Sequence, residues 1–261
     1  MRDMDRFLVF MIGAIIGSFL NVCIYRLPKK QSILFPPSYC PHCKKSILWY
    51  DNIPILSYLV LMGRCGFCRK KISSRYLVVE VLTAALILLL YIAFGVQAKL
   101  FVYSALISAL IVATFIDIKT GEIPDEITLG GLVAGLAVSF GFPAIFDTAS
   151  RVMALKSSAI GALAGGGAIF AMGLFGKVLF KKEAMGGGDV KLMALVGSVL
   201  GWKLALVAFF IAPFFGAAVG LPLKMIQRRE TIPYGPYLSL GAVIVIFHGH
   251  NILKVLFSGL Q

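Results

Sequence analysis

Acidic residues and histidine are scarce in this chain, with 12 Asp+Glu against 25 Lys+Arg and three His in 261 residues. No GxGxxG, P-loop, HExxH or GxSxG pattern is present, so the sequence offers no glycine-rich nucleotide loop, zinc-protease helix or nucleophile elbow. No internal repeat is apparent, and long polar stretches are absent outside residues 26–76. The first apolar run has no small-residue cleavage site, and its positive charge (Arg26, Lys29, Lys30) follows it rather than precedes it. Both features exclude a secretory signal peptide.

What is abundant is apolar chain. Hydrophobic residues make up 59% and the mean hydropathy is +0.91, above the ~45–50% apolar content of soluble domains. Eight runs approach the roughly 20 residues that cross a bilayer core: 7–25, 77–95, 100–116, 127–146, 157–180, 190–202, 204–226 and 236–256. The 190–202 run is the shortest and begins beside Gly and Asp. The expected fold is an all-α polytopic membrane protein of about eight transmembrane helices, with one large water-facing loop between the first two.

The net charge of +13 does not point to nucleic acid. With the N-terminus outside, 18 of the 25 Lys/Arg fall on one side: in 26–76, at Lys119, around 181–190 (Lys177, Lys181, Lys182, Lys191), and at Lys224, Arg228 and Arg229. The positive-inside rule places those segments in the cytoplasm. The charge sets topology, and contact with anionic lipid follows from it.

Against so few acids, two aspartates stand out. Asp117 ends one apolar run and opens Asp117-Ile-Lys-Thr-Gly-Glu-Ile-Pro-Asp125; Asp189 closes the GxGD tetrad Gly186-Gly187-Gly188-Asp189. An ionisable residue at membrane depth is costly and suggests function. Parity brings the two together: span three runs inward and ends at Asp117, spans four and five cross out and back, and Asp189 opens span six at the inner face; were span four or five not a true span, the two would lie on opposite faces and the dyad would fail. Two adjacent carboxylates share a proton. The ionised member then takes a proton from water while the protonated one polarises a scissile carbonyl. An aspartyl dyad is the expected catalytic group. A lone aspartate at a helix end reads as a solvated cap; the pair on one side, with GxGD, does not.

Four of five cysteines form Cys40-Pro-His-Cys43 and Cys65-Gly-Phe-Cys68. Two C-x2-C knuckles in a cytoplasmic loop predict a structural tetrahedral zinc with four thiolates. The competing readings are a redox pair, or His42 as a ligand in place of one thiolate. Cys23 reads as a small residue packed within the first apolar run. Pro54 breaks any helix in the loop, and Ile55–Leu59 is apolar enough to rest the module on the membrane. His248 and His250 fall near the outer end of the last span, away from the aspartates.

These stretches resemble the type IV prepilin peptidases, the leader peptidases and N-methyltransferases of pilus and type II secretion systems. The matching segments are Gly17–Pro28, both knuckles, Ile72–Tyr76 leading to Glu80, Ile116–Asp125, Glu183–Met193 and Ile232–Leu238. Leu77 and Tyr234 are minor departures. The resemblance implies that Asp117 and Asp189 cleave a prepilin or pseudopilin after the glycine of its basic leader, at the cytoplasmic face of a bacterial inner membrane. It further implies N-methylation of the new N-terminal residue, usually phenylalanine, from S-adenosylmethionine, with the cysteine loop serving that activity. On this reading residues 1–25 are the first helix, 26–76 the zinc loop, and 77–261 the peptidase domain. Glu122, Asp125, Glu126 and Glu183 stand where they would attract a basic leader, or are ordinary loop acids. Lys191 either biases the dyad or snorkels. Two rivals remain: an ion-coupled transporter, which predicts inverted repeats and midplane acids, and a peptidase whose zinc is purely structural.

Overall fold

The computed structural model describes residues 2–180, 185–220, 222 and 233–258. The chain forms two compact units, Met1–Val96 and Gln97–Gln261.

The first unit holds α1 (Arg2–Arg26), the cysteine loop with a short helix α2 (Leu56–Val60), and α3 (Arg75–Phe94). Small residues at four-residue spacing let α1 and α3 touch backbone to backbone, as small-residue faces do in membranes. A β-carbon on Gly13 would stand 2.7 Å from Ala84 Cα, and one on Gly17 2.7 Å from Glu80 Cα. One turn further, Asn21 Nδ2 donates to the Tyr76 carbonyl at 3.0 Å. The contacts advance along α1 as they retreat along α3, so the pair is antiparallel. Below it, Arg26 is 4% exposed and donates to the carbonyls of Ser32, Pro36 and Pro37 at 2.9, 2.7 and 3.3 Å. This ties the start of the loop to the end of α1.

The second unit runs through α4 (Ala98–Thr120), α5 (Asp125–Gly141), α6 (Arg151–Phe180), α7 (Gly187–Leu200), α8 (Trp202–Phe215, continued by a π turn, Gly216–Gly220) and α9 (Gly235–Ser258). Here α7 is the central helix: every residue from Leu195 to Leu200 is buried, and Leu192 and Met193 are fully covered. Glycines on α6 face it directly, Gly161 against the Gly197 carbonyl and Gly165 against that of Met193, and Ser158 Oγ donates to the Ser198 carbonyl at 2.6 Å. On the other side Gly135 of α5 packs on Ser198 and Val199.

Among the described residues the eight expected runs fall on eight helices, but six of these are long and apolar enough to cross a membrane. The exceptions are α5, with 17 residues, and α7, with 14, short of the roughly 20 needed. The eight-span expectation is therefore not reached by length. The physical reason is local for α7: Gly186 and Gly187 start it late, and Gly201, at φ +80°, ends it. Being enclosed by other helices, it needs no lipid-spanning length of its own. Phe101, Leu163, Phe170, Val178, Phe210 and Phe214 are exposed on the long helices, as lipid-facing residues are. These six spans make the chain a multi-pass membrane protein.

Candidate active site

Asp117 sits in the last turn of α4, which Gly121 closes in the left-handed region (φ +72°), its N–H returning to the Asp117 carbonyl at 2.8 Å. The chain then turns through Glu122-Ile123-Pro124 into α5. Ile123 is the one buried side chain of that polar stretch. Asp189 is the third residue of α7, and its carboxylate reaches back over the helix start to accept the Gly186 N–H at 3.3 Å through Oδ2. An acid in the first turn also suits the positive end of the helix.

Ile123 is the piece that joins them. A β-carbon on Gly188 would stand 3.2 Å from Ile123 Cβ, and one on Gly235 3.0 Å from Ile123 Cδ1. The two glycines thus close on one isoleucine from α7 and from α9. Gly235 also donates its N–H to Asp117 Oδ2 at 3.0 Å. Each aspartate is held by one backbone N–H through Oδ2, and both are buried, Asp117 at 5% and Asp189 at 8% exposure. They are close enough that the charge of Asp117 acts on Asp189. Beside them, burial and then the charge of Asp189 push the Tyr234 phenol up to about 12, so it stays protonated and able to donate.

Lys191 does not stand alone: its Nζ pairs with Asp125 Oδ1 at 2.6 Å. Glu122, Asp125 and Glu126 are exposed at the same end of the unit. Glu183 and the basic residues Lys181, Lys182, Lys224, Arg228 and Arg229 lie outside the described residues. His248 and His250 are exposed on the far part of α9 from Gly235. The roles of Ile123 and Gly235 were hidden in the sequence; the only sign was a single isoleucine inside Gly121-Glu-Ile-Pro-Asp125.

The two cysteine knuckles of the first unit are built alike. In each, the first cysteine donates its N–H to a lysine carbonyl five residues on (Lys45, 2.9 Å; Lys70, 3.0 Å) and accepts from the N–H four residues on (Lys44, 2.9 Å; Arg69, 3.0 Å). Lys44 and Arg69 both take positive φ, 62° and 56°, and antiparallel bridges Tyr39–Ser46 and Arg64–Lys71 close the two turns. The sulfurs of Cys40, Cys43, Cys65 and Cys68 lie within 4.8 Å of one another, with Cys40 and Cys68 at 3.9 Å. Zinc–sulfur bonds of about 2.3 Å in a tetrahedron put sulfurs about 3.8 Å apart, so the donor set fits a metal. Backbone N–H groups, first that of Cys68 and then that of Phe67, draw the Cys65 thiol down to about 7 against the effect of burial. Its neighbour Cys68 is raised instead, to about 11: the Lys70 N–H lowers it, but burial and the thiols of Cys65, Cys43 and Cys40 outweigh that. His42 is exposed and outside the cluster, and Cys23 is buried within α1.

Comparison with known proteins matches both units. Residues 11–94, which contain the cysteines, match the bacterial peptidase A24 N-terminal domain, and residues 104–221, which contain both aspartates, match the type IV leader peptidase family. A prepilin leader peptidase/N-methyltransferase of Aeromonas hydrophila is 34% identical across 95% of this chain and 92% of its own length. That of Pectobacterium carotovorum subsp. carotovorum is 34% identical over 92% of each. A type 4 prepilin-like proteins leader peptide-processing enzyme of Escherichia coli O78:H11 is 35% identical across 90% of this chain and 91% of its own. No solved structure matches. With similarity running through nearly its whole length and enclosing both the converged aspartates and the cysteine cluster, this chain belongs to the type IV leader peptidase family of enzymes.

Proposed function

We propose that this enzyme removes the leader of type IV prepilin-like proteins through Asp117 and Asp189 and then N-methylates the exposed residue. The observation that carries the peptidase half is the closure of Gly188, beside Asp189, and of Gly235, which holds Asp117, on one isoleucine, Ile123, with each buried carboxylate held through one oxygen. One aspartate, ionised, takes a proton from the attacking water; the other, protonated, hydrogen-bonds the scissile carbonyl and then supplies the leaving amine with a proton. The backbone N–H groups of Gly235 and Gly186 fix the carboxylates, so no metal is called for at this site. The exposed acids Glu122, Asp125 and Glu126 would draw a basic leader toward it. A prepilin is an apolar helix with a basic cytoplasmic leader, so its scissile bond lies at the boundary depth expected of a site at helix ends. We accordingly assign the enzyme to the bacterial inner membrane with the site at the cytoplasmic face.

The methyltransferase half rests on the relatives' names and on the retained cysteine loop, residues 26–76. Cys40, Cys43, Cys65 and Cys68 would hold one zinc, closed by four protein ligands and therefore structural. S-adenosylmethionine would supply the methyl group. The peptidase chemistry lies in the second unit, Gln97–Gln261, which holds both aspartates. Cleavage of a reconstituted prepilin, with the product weighed by mass spectrometry in the presence of S-adenosylmethionine, tests both halves. A product one methyl heavier supports the whole reading, and cleavage without the methyl leaves a peptidase alone. No cleavage of several prepilins by folded protein overturns the proposal.

A further inference from the structure

A second buried polar cluster lies in the first unit, in the seam between α1 and α3. Glu80 is 8% exposed on a helix long and apolar enough to cross a membrane. Its Oε2 accepts the Ile55 N–H at 2.7 Å, and the carboxylate also meets the Ser18 hydroxyl. Both donors are neutral. Among the described residues Glu80 makes no ion pair, and Arg75, the cation before it on α3, stacks on Tyr76 at 5.1 Å instead. One turn away, Asn21 is 2% exposed. Its Nδ2 donates to the carbonyls of Tyr76 at 3.0 Å and Gly17 at 3.4 Å, which fixes the orientation of the amide. Its Oδ1 is buried with no partner.

The cluster therefore presents acceptors and a negative charge that no cation pairs among the described residues, although Arg75, next to Tyr76, keeps a buried Nε without a partner. Buried carboxylates are ordinarily paired, and buried carbonyl oxygens are ordinarily hydrogen-bonded. The backbone against it is strained as well: Ile55, β-branched, is held at φ +65°, a conformation that persists where its surroundings enforce it and that gathers at functional sites. A fitting ligand is a cation with several N–H donors. A sulfonium has the charge and lacks the donors; a primary ammonium has both.

We propose that Glu80 and Asn21 receive the α-ammonium exposed by leader cleavage and that Glu80 is the base for its methylation, an inference that rests on the methyltransferase reading above. An α-ammonium has a pKa of about 7.7–8.0, so near neutral pH most of it is protonated and has no free lone pair. Glu80 takes one proton as an N–H bond breaks. The freed pair forms the new N–C bond while the donor's C–S bond breaks with its electrons on sulfur. Glu80 then releases its proton to water, leaving a protonated secondary amine.

The test uses the full chain in detergent and a peptide beginning with phenylalanine, in free-amine and N-acetyl forms. Wild type is expected to bind the free amine at least about tenfold more tightly, and Glu80→Gln, which keeps an oxygen for the Ile55 N–H, to erase that difference. The variant should retain prepilin cleavage and its metal. Its methylation should fall about 100-fold near pH 7 and climb about fivefold between pH 7 and pH 8, as solvent deprotonates the amine. Equal binding of the two peptides by wild type overturns the proposal, as does unchanged methylation in Glu80→Gln. Joint loss of metal, cleavage and methylation would reduce Glu80 to a clamp on Ile55 and overturn it too. A wild type that cleaves and never methylates refutes the methyltransferase reading itself, whereas the failures above, with methylation intact in wild type, refute only this inference.

Discussion

Gly235 donates its N–H to Asp117 Oδ2 at 3.0 Å, and a β-carbon on Gly235 would stand 2.7 Å from that same oxygen. The start of α9 is thus pressed against an aspartate 118 residues earlier. Gly235→Ala is expected to push the carboxylate out of line and lower cleavage about 10- to 100-fold, since misplacement of a catalytic group by about 1 Å costs on that order. Methylation of an already cleaved peptide should be unaffected. Initial rates on the two substrates check this, and full cleavage by the alanine variant would show that the contact does not position Asp117.

Asp117→Asn and Asp189→Asn each leave side-chain size unchanged and remove one carboxylate. Each should reduce cleavage about 1000-fold or more, and the double variant should be no worse than either, because groups acting as a unit do not add. Single-turnover cleavage of a reconstituted prepilin measures this. Substantial turnover in one variant would remove that residue from the pair.

Much of this was readable beforehand because the bilayer imposes strong patterns. Long apolar runs marked the helices, and C-x2-C twice marked the cysteine cluster. Asp117 and Asp189 stood out because acids are few. The unread parts depend on contacts between distant segments. Nothing near Ile123 signals that Gly188 and Gly235 will close on it, and nothing near Glu80 signals Ile55. The length of α7 escaped for another reason: an apolar run of residues looks alike whether lipid or other helices cover it.

The cysteine cluster should hold about one zinc per chain. Its ligands lie in the first unit and the aspartates in the second. Chelation, or Cys65→Ser, is therefore expected to release the metal and abolish methylation while cleavage declines less and later. Metal analysis alongside both activities reads the order of loss. Immediate, equal loss of both would contradict the separation.

Gly17 faces the backbone of Glu80, where a β-carbon would lie 2.7 Å from Cα. Gly17→Ala must force α1 and α3 apart, and overpacking of this kind costs about 1–3 kcal/mol. The variant should melt several degrees lower and lose methylation more than cleavage, because the seam it opens carries Glu80 and Asn21. Thermal unfolding in detergent and the two activities test this. An alanine variant with unchanged melting and methylation would mean the helices are not in backbone contact.

Lys191 stands two residues after Asp189, yet it is tied to Asp125 at 2.6 Å, with the two side chains 38% and 57% exposed. Exposed pairs contribute about 0–1 kcal/mol, so Lys191→Met should leave stability nearly unchanged and cleavage within about fivefold of wild type. The same holds if the pair merely joins α7 to the start of α5. A lysine acting on the dyad itself would instead shift the acidic limb of the cleavage pH profile when removed, because it would have favoured the ionised aspartate. Comparing pH profiles of Lys191→Met and wild type separates the two roles, and coincident profiles are expected.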